Sequence, residues 1–107
     1  MNYEVRLTTE AENDLCGIFE HIAFDLQSPQ NAAGQLDWLE QSIMSLDQMP
    51  ERFRVYEKKP WHSRNLRIMP VDNYLVFYIP NHEEQTVKVM RVLYGGRDVA
   101  KQLNRLL

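Results

Sequence analysis

The chain has 107 residues, 44% hydrophobic and 25% charged, which is room for one domain with one core and argues against disorder. Its longest apolar run, Tyr74–Ile79, is far too short to cross a bilayer, and its lone cysteine, Cys16, excludes an internal disulfide framework and a cysteine-based zinc site. The net charge of −3 conceals a split: residues 1–50 hold one basic and nine acidic residues, whereas residues 51–107 hold eleven basic and six acidic ones, so that an anionic partner would be met by the second half, unless both halves simply carry solvated charge.

Tyr3, Val5 and Leu7 alternate with Glu4 and Arg6, the two-residue period of a half-buried strand. Thr9 and Glu12 fit a capping box opening a helix. Behind them Ala11, Leu15, Ile18, Phe19, Ile22 and Leu26 recur at three- and four-residue spacing as its buried stripe. Gly17 inside that helix costs about 1 kcal/mol relative to alanine, and a close helix–helix approach is one reason to keep it. Ser28 and Pro29 suit the cap and first position of a second helix. Ala32, Leu36, Leu39, Ile43 and Leu46 mark its buried side, and Pro50 stops it. The short break makes the pair an antiparallel hairpin.

Beyond Pro50 the pattern turns to strands. Phe53–Tyr56 reads as a short strand or extended loop, residues 65–69 as a strand, and Pro70–Asn73 as a turn. Tyr74–Ile79 is the most apolar strand, residues 80–84 form a hairpin loop, and Thr86–Leu93 is the last strand, with Val87, Val89, Arg91 and Leu93 on one side. Gly95 and Gly96 end it, and Asp98 suits the cap of a short helix carrying Val99, Leu103 and Leu106. A strand, two helices, then bunched strands and a terminal helix define a single α+β domain, 1–107, with the helical hairpin packed on a mainly antiparallel sheet of three to four strands.

Four stretches in this order resemble the RelE/ParE superfamily of type II toxin–antitoxin toxins: Val5–Leu15 (VRLTTEAENDL), Ser42–Phe53 (SIMSLDQMPERF), Arg67–Pro80 (RIMPVDNYLVFYIP) and Val87–Asp98 (VKVMRVLYGGRD). The long hairpin and the RVLYGGRD stretch look more like the ParE branch. The resemblance implies a growth-arresting toxin, neutralised by a cognate antitoxin and touching operator DNA only through it. It leaves two targets open. ParE-type members poison DNA gyrase, and RelE-type members cut messenger RNA on the ribosome. A degenerate protein that only binds its antitoxin is a third reading.

A nuclease needs a base for the 2′-proton, an acid for the leaving oxygen and cations for the charged intermediate. Arg54, Arg64, Arg67, Tyr94 and Arg97 are the candidates for that chemistry. Against it, Pro70 falls where RelE-type enzymes place an arginine, and their C-terminal catalytic tyrosine has no counterpart in Leu103–Leu107. A pI near 5.6 is also unfavourable for a ligand of ribosomal phosphates. A gyrase poison needs only a gripping surface, for which Arg91, Tyr94, Gly95, Gly96, Arg97 and Lys101 are the candidates. Trp38, Met49, Phe53, Val99 and Leu106 are left as apolar residues for the antitoxin to cover. Arg91, in register with buried valines, is also readable as an inward arginine with an ion-pair partner. Trp61 and His62 are readable as an RNA-contacting pair or as a loop with the indole folded onto the sheet, and His82 as a solvated hairpin tip. No metal or cofactor is expected, and a cytoplasmic location is.

Overall fold

A computed structural model describes residues 2–95 and 99–104. Strand β1 (Glu4–Leu7) leads into helix α1 (Thr9–Glu20), which runs through a π turn (His21–Asp25) before α2 (Pro29–Met44) returns antiparallel. Strands β2 (Arg67–Val71), β3 (Tyr74–Asn81) and β4 (Thr86–Tyr94) follow, then the short α3 (Val99–Asn104). The sheet order is β1-β4-β3-β2, with β1 parallel to β4 and the other pairs antiparallel. This is the expected α+β architecture with four strands.

The sheet is covered on both faces. On one, Ala11, Leu15, Leu39, Ile43 and Leu46 of the hairpin region pack against Met69, Val76, Tyr78, Val87, Val89 and Val92. On the other, Trp61, Leu66 and α3's Leu103 pack against Ile68, Phe77 and Leu93. Each fully buried aliphatic or aromatic side chain here contributes about 1.5–3 kcal/mol of apolar transfer. Tyr78 is the largest of them, and its hydroxyl donates to the Pro50 carbonyl, tying the start of the 50–66 connection to the central strand. Burial is the main reason its phenol is pushed up to about 12.

Several local expectations are corrected. The first helix is capped by Thr8, not Thr9: the Thr8 hydroxyl accepts from the Ala11 N–H at 3.1 Å and donates to the Met90 carbonyl at 2.9 Å. Thr8 wins because one hydroxyl there both caps the helix and satisfies an edge carbonyl of β4. The π turn adds a residue to the helical repeat, so Ala23 is buried and Leu26 stands 60% exposed instead of continuing the stripe. Gly17 serves no close approach, since a Cβ there would meet nothing within 4 Å. Residues 53–56 contribute only an isolated bridge, Val55 to Arg67. Pro70 lies within β2 rather than in the turn, a placement an edge strand tolerates because its N–H is not required. β3 runs on to Asn81.

The last strand carries a bulge. Tyr78 pairs with Val89 and Phe77 with Arg91, leaving Met90 as the extra residue. Past it, Val92 joins Val87 and Val89 beneath the helices, while Leu93 packs in the opposite cluster with Met90. The expected alternation of Arg91 and Leu93 with the valines therefore breaks at Met90.

Thr8→Ala removes the cap and the bond to β4 together and is expected to cost about 1–2 kcal/mol in urea unfolding. Thr9→Ala should stay within about 0.5 kcal/mol of wild type; equal effects of the two would contradict the cap assignment.

Candidate target-binding site

β1 pairs with β4 only from Thr86 to Val89, so among the described residues the edge of β4 beyond that point lacks a strand neighbour. Helix α1 supplies what β1 does not. The Thr8 N–H donates to the Val89 carbonyl at 3.1 Å, and the Thr8 hydroxyl takes the Met90 carbonyl. Six residues further on, Asp14 accepts the Val92 N–H at 2.9 Å. The same carboxylate accepts two bonds from the Arg91 guanidinium, from Nε at 2.7 Å and Nη2 at 2.8 Å. Both side chains are only 14% exposed. The fork geometry of guanidinium on carboxylate fixes orientation as well as adding energy. The hydrogen bonds to Asp14 are the main reason the Arg91 pKa is raised. The Gln102 carbonyl lies 3.4 Å from Arg91 Nη1, which links α3 to the same group.

This latch forms the floor of a cleft of about 840 Å3. Its walls include Ile18, His21 and Ile22 of α1 and the π turn, Gln35 of α2, Tyr74 and Asn73 at the β2–β3 turn, and Tyr94 at the end of β4. Tyr74 and Tyr94 meet edge-on at 6.0 Å, and Tyr94 is 49% exposed at the rim. Burial, with Tyr94 as a smaller influence, raises the Tyr74 pKa. Gly95 follows, its N–H bonded to the Asn73 carbonyl at 2.9 Å. A Cβ there would meet that carbonyl oxygen at 3.4 Å, an ordinary contact, so its bareness is not enforced by crowding. His21 pairs with Asp25 at 3.0 Å on the cleft's outer side. A second, apolar groove of about 680 Å3 runs between α1 and α2, walled by Leu15, Phe19, Ile43 and Met44 and rimmed by Glu12, Glu20 and Glu40.

The candidate residues fall into separate places. Arg91 and Tyr94 line the cleft, with Gly95 adjoining and Lys101 exposed on α3. Gly96, Arg97, Asp98 and Leu106 lie outside the described residues. Arg54 and Arg67 lie at the level of the middle of β3, and Arg64 lies over Trp61 in the second core. Arg67 pairs with Tyr78 and the Arg54 carbonyl accepts from Ile68, whereas Tyr94 pairs with Tyr74. Four residues of β3 separate those levels, about 13 Å along the strand. Arg67 is turned inward to the carbonyls of Glu51 and Phe53, at 2.9 and 2.7 Å.

Among the apolar candidates, Trp38 and Met49 are exposed, and Met49 adopts a left-handed backbone. Phe53 and Val99 are half-buried, each packed against one of the two cores. Trp61 is folded in, 2% exposed, beneath Arg64 at 5.3 Å. His82 is exposed at the hairpin turn as expected, but it is not without partners. It is held between the Tyr3 hydroxyl and Glu51, the latter at 2.7 Å, because the β3–β4 turn lies against both the N-terminal segment and the turn at Pro50–Arg52. Sequence reasoning missed Asp14, Phe24 and Met44. The acid sat on a face taken for solvent, and the two apolar residues stand exposed. Among the described residues no group of His, Cys, Asp or Glu is arranged to hold a metal ion, and no helix is long and apolar enough to cross a membrane.

The fold is thus a strand, a helical hairpin, a mixed four-stranded sheet and a short terminal helix. The family model described as the ParE toxin of the type II toxin–antitoxin system parDE matches residues 5–99. The chain belongs to that family. Similar solved structures include the chromosomal ParDE toxin–antitoxin system of P. aeruginosa, at 15% identity and a TM-score of 0.70, covering 86% of this chain and 95% of that one. The RelBE2 toxin–antitoxin complex of Mycobacterium tuberculosis matches at 22% identity and 0.62, covering 88% and 99%. The archaeal RelE–RelB complex of Pyrococcus horikoshii OT3 matches at 18% and 0.61, covering 91% and 99%. No curated protein matches the sequence significantly.

Asp14→Ala should lower stability by about 3 kcal/mol, because it strands a half-buried guanidinium and the Val92 N–H together. In urea unfolding, the Asp14→Ala/Arg91→Met double variant should lose less than the two single losses added together. Additive losses would mean that the pair does not act as a unit.

Proposed function

We propose that this toxin arrests growth by gripping DNA gyrase through the Tyr94 cleft, without chemistry of its own, and that a cognate antitoxin neutralises it by direct binding. The observation that carries the reading is the separation of the nuclease candidates. Tyr94, the proposed acid or base, stands about 13 Å along the strands from the level of Arg54 and Arg67. Of the nuclease candidates, Arg67 already serves internal acceptors, the carbonyls of Glu51 and Phe53. Metal-free RNA cleavage needs an acid or base and cations around one phosphate. The cleft instead offers an exposed aromatic rim over a rigid floor, the form that protein hot spots take.

The antitoxin reading rests on exposed apolar surface, since Trp38, Met44 and Met49 stand open and the α1–α2 groove is almost wholly apolar inside its carboxylate rim. The three solved relatives come from toxin–antitoxin systems, which fits a partner of that kind. Glu12, Glu20 and Glu40 call for cations flanking whatever ridge fills the groove, whereas an acidic segment suits the basic half.

The test is to add the purified chain to gyrase, plasmid and ATP and to look for trapped double-strand cleavage. Cleaved plasmid is expected, and Tyr94→Phe should keep it, because packing needs the ring and not the hydroxyl. Tyr94→Ala should weaken trapping by about 30-fold or more if the ring is a hot spot. Untouched gyrase, together with messenger cut on ribosomes and lost in Tyr94→Phe, would establish the ribosome-dependent nuclease in its place.

A further inference from the structure

We infer that the loop between Arg54 and Arg64 is a docking surface for the phosphate backbone of duplex DNA. Arg54, Lys58, Lys59 and Arg64 are all exposed here, with His62 among them. Of the two nearby carboxylates, Glu51 is held by His82 at 2.7 Å and Arg67 at 3.6 Å. Glu57 lies 3.9 Å from Arg54, both of them well exposed, an ion pair too open to neutralise the patch.

The loop is pre-shaped. The His62 N–H donates to the Lys58 carbonyl at 3.0 Å, the Ser63 hydroxyl to that of Pro60 at 2.9 Å, and the Leu66 N–H to that of Trp61 at 3.2 Å. The buried Trp61 anchors the loop in the second core, and the Arg64 guanidinium lies over its ring. Cations so held lose less freedom on meeting an anion than cations on a mobile tail.

One feature favours a duplex over an unpaired strand. Binding to unpaired bases draws on aromatic rings open for stacking. Here Trp61 is buried, and Tyr56 is half-buried and set edge-on to Phe77 at 5.9 Å. What remains outward is charge, which reads backbone phosphate without regard to sequence. The acidic hairpin on the far side of the sheet repels the same polyanion and orients the approach. The inference extends the gyrase reading, since DNA held by a topoisomerase is where a bound toxin meets phosphate, but its geometry does not depend on the Tyr94 cleft.

The experiment is fluorescence anisotropy of the full chain with a labelled duplex of about 20 base pairs, between about 25 and 200 mM salt. Binding on the order of 10 µM at the low-salt end is expected, falling steeply as salt rises. Lys58→Gln/Lys59→Gln should weaken it about tenfold and flatten the log–log salt slope by about 1.8, two phosphates' worth. Gln30→Glu/Asn31→Glu, which makes the same charge change at exposed positions of α2, should stay within about twofold of wild type. Absence of duplex binding, equal loss in both variants, or tighter binding to single-stranded RNA of the same length would overturn the inference. A chain that traps gyrase cleavage yet binds no duplex would retire this surface and leave the gyrase reading standing. Duplex binding lost in the lysine variant, by a chain that leaves gyrase untouched, would do the reverse.

Discussion

Among the described residues the edge of β4 beyond Val89 has no strand beside it, and Asp14 stands where the missing neighbour would be. A carboxylate in that position satisfies a backbone N–H and neutralises the arginine that the strand carries inward at the same level. Neither group is stable there alone, because a half-buried guanidinium and an unpaired strand N–H are both costly to strand away from water. Thr8 closes the adjoining carbonyl in the same way. Helix α1 is thereby fixed against the sheet by polar bonds at two levels as well as by its apolar stripe. The cleft that begins at Arg91 inherits that rigidity.

The two covers of the sheet divide the molecule electrically. The hairpin on one face draws on the acidic half of the sequence, and the 53–66 connection on the other draws on the basic half. A toxin built this way can present carboxylate-rimmed apolar surface to one partner and cations to another without the two competing for one face. Rigid burial of Trp61 and the inward turn of Arg67 remove two residues that a nucleic-acid-cleaving surface would want outward.

Much of this was legible in the sequence because periodicity reports burial directly. The alternation around Val5, the spacing of Ala32, Leu39 and Ile43, and the apolar run at Tyr74 each led to the right element. The misses share a cause: each depends on one residue inserted into a regular repeat, or on a partner distant in sequence. The bulge at Met90 and the π turn at His21–Asp25 each slip the register without a glycine or proline to announce it. Asp14 reads as a solvated acid until β4, 77 residues away, brings Arg91 to it. His82 looks free for the same reason, its partners being Tyr3 and Glu51. Arg91 had two readings because a strand arginine among valines signals either a functional cation or an ion pair, and only the fold supplies the acid.

The central claim, a binding poison and not a nuclease, is met most directly inside the cell. Labelled thymidine and labelled methionine would be followed within minutes of inducing the chain without its antitoxin. The account requires thymidine incorporation to fall first while protein synthesis continues. A prompt fall in methionine incorporation alone, with DNA synthesis spared, would contradict it and return Arg54, Arg64, Arg67 and Tyr94 to consideration as an active site.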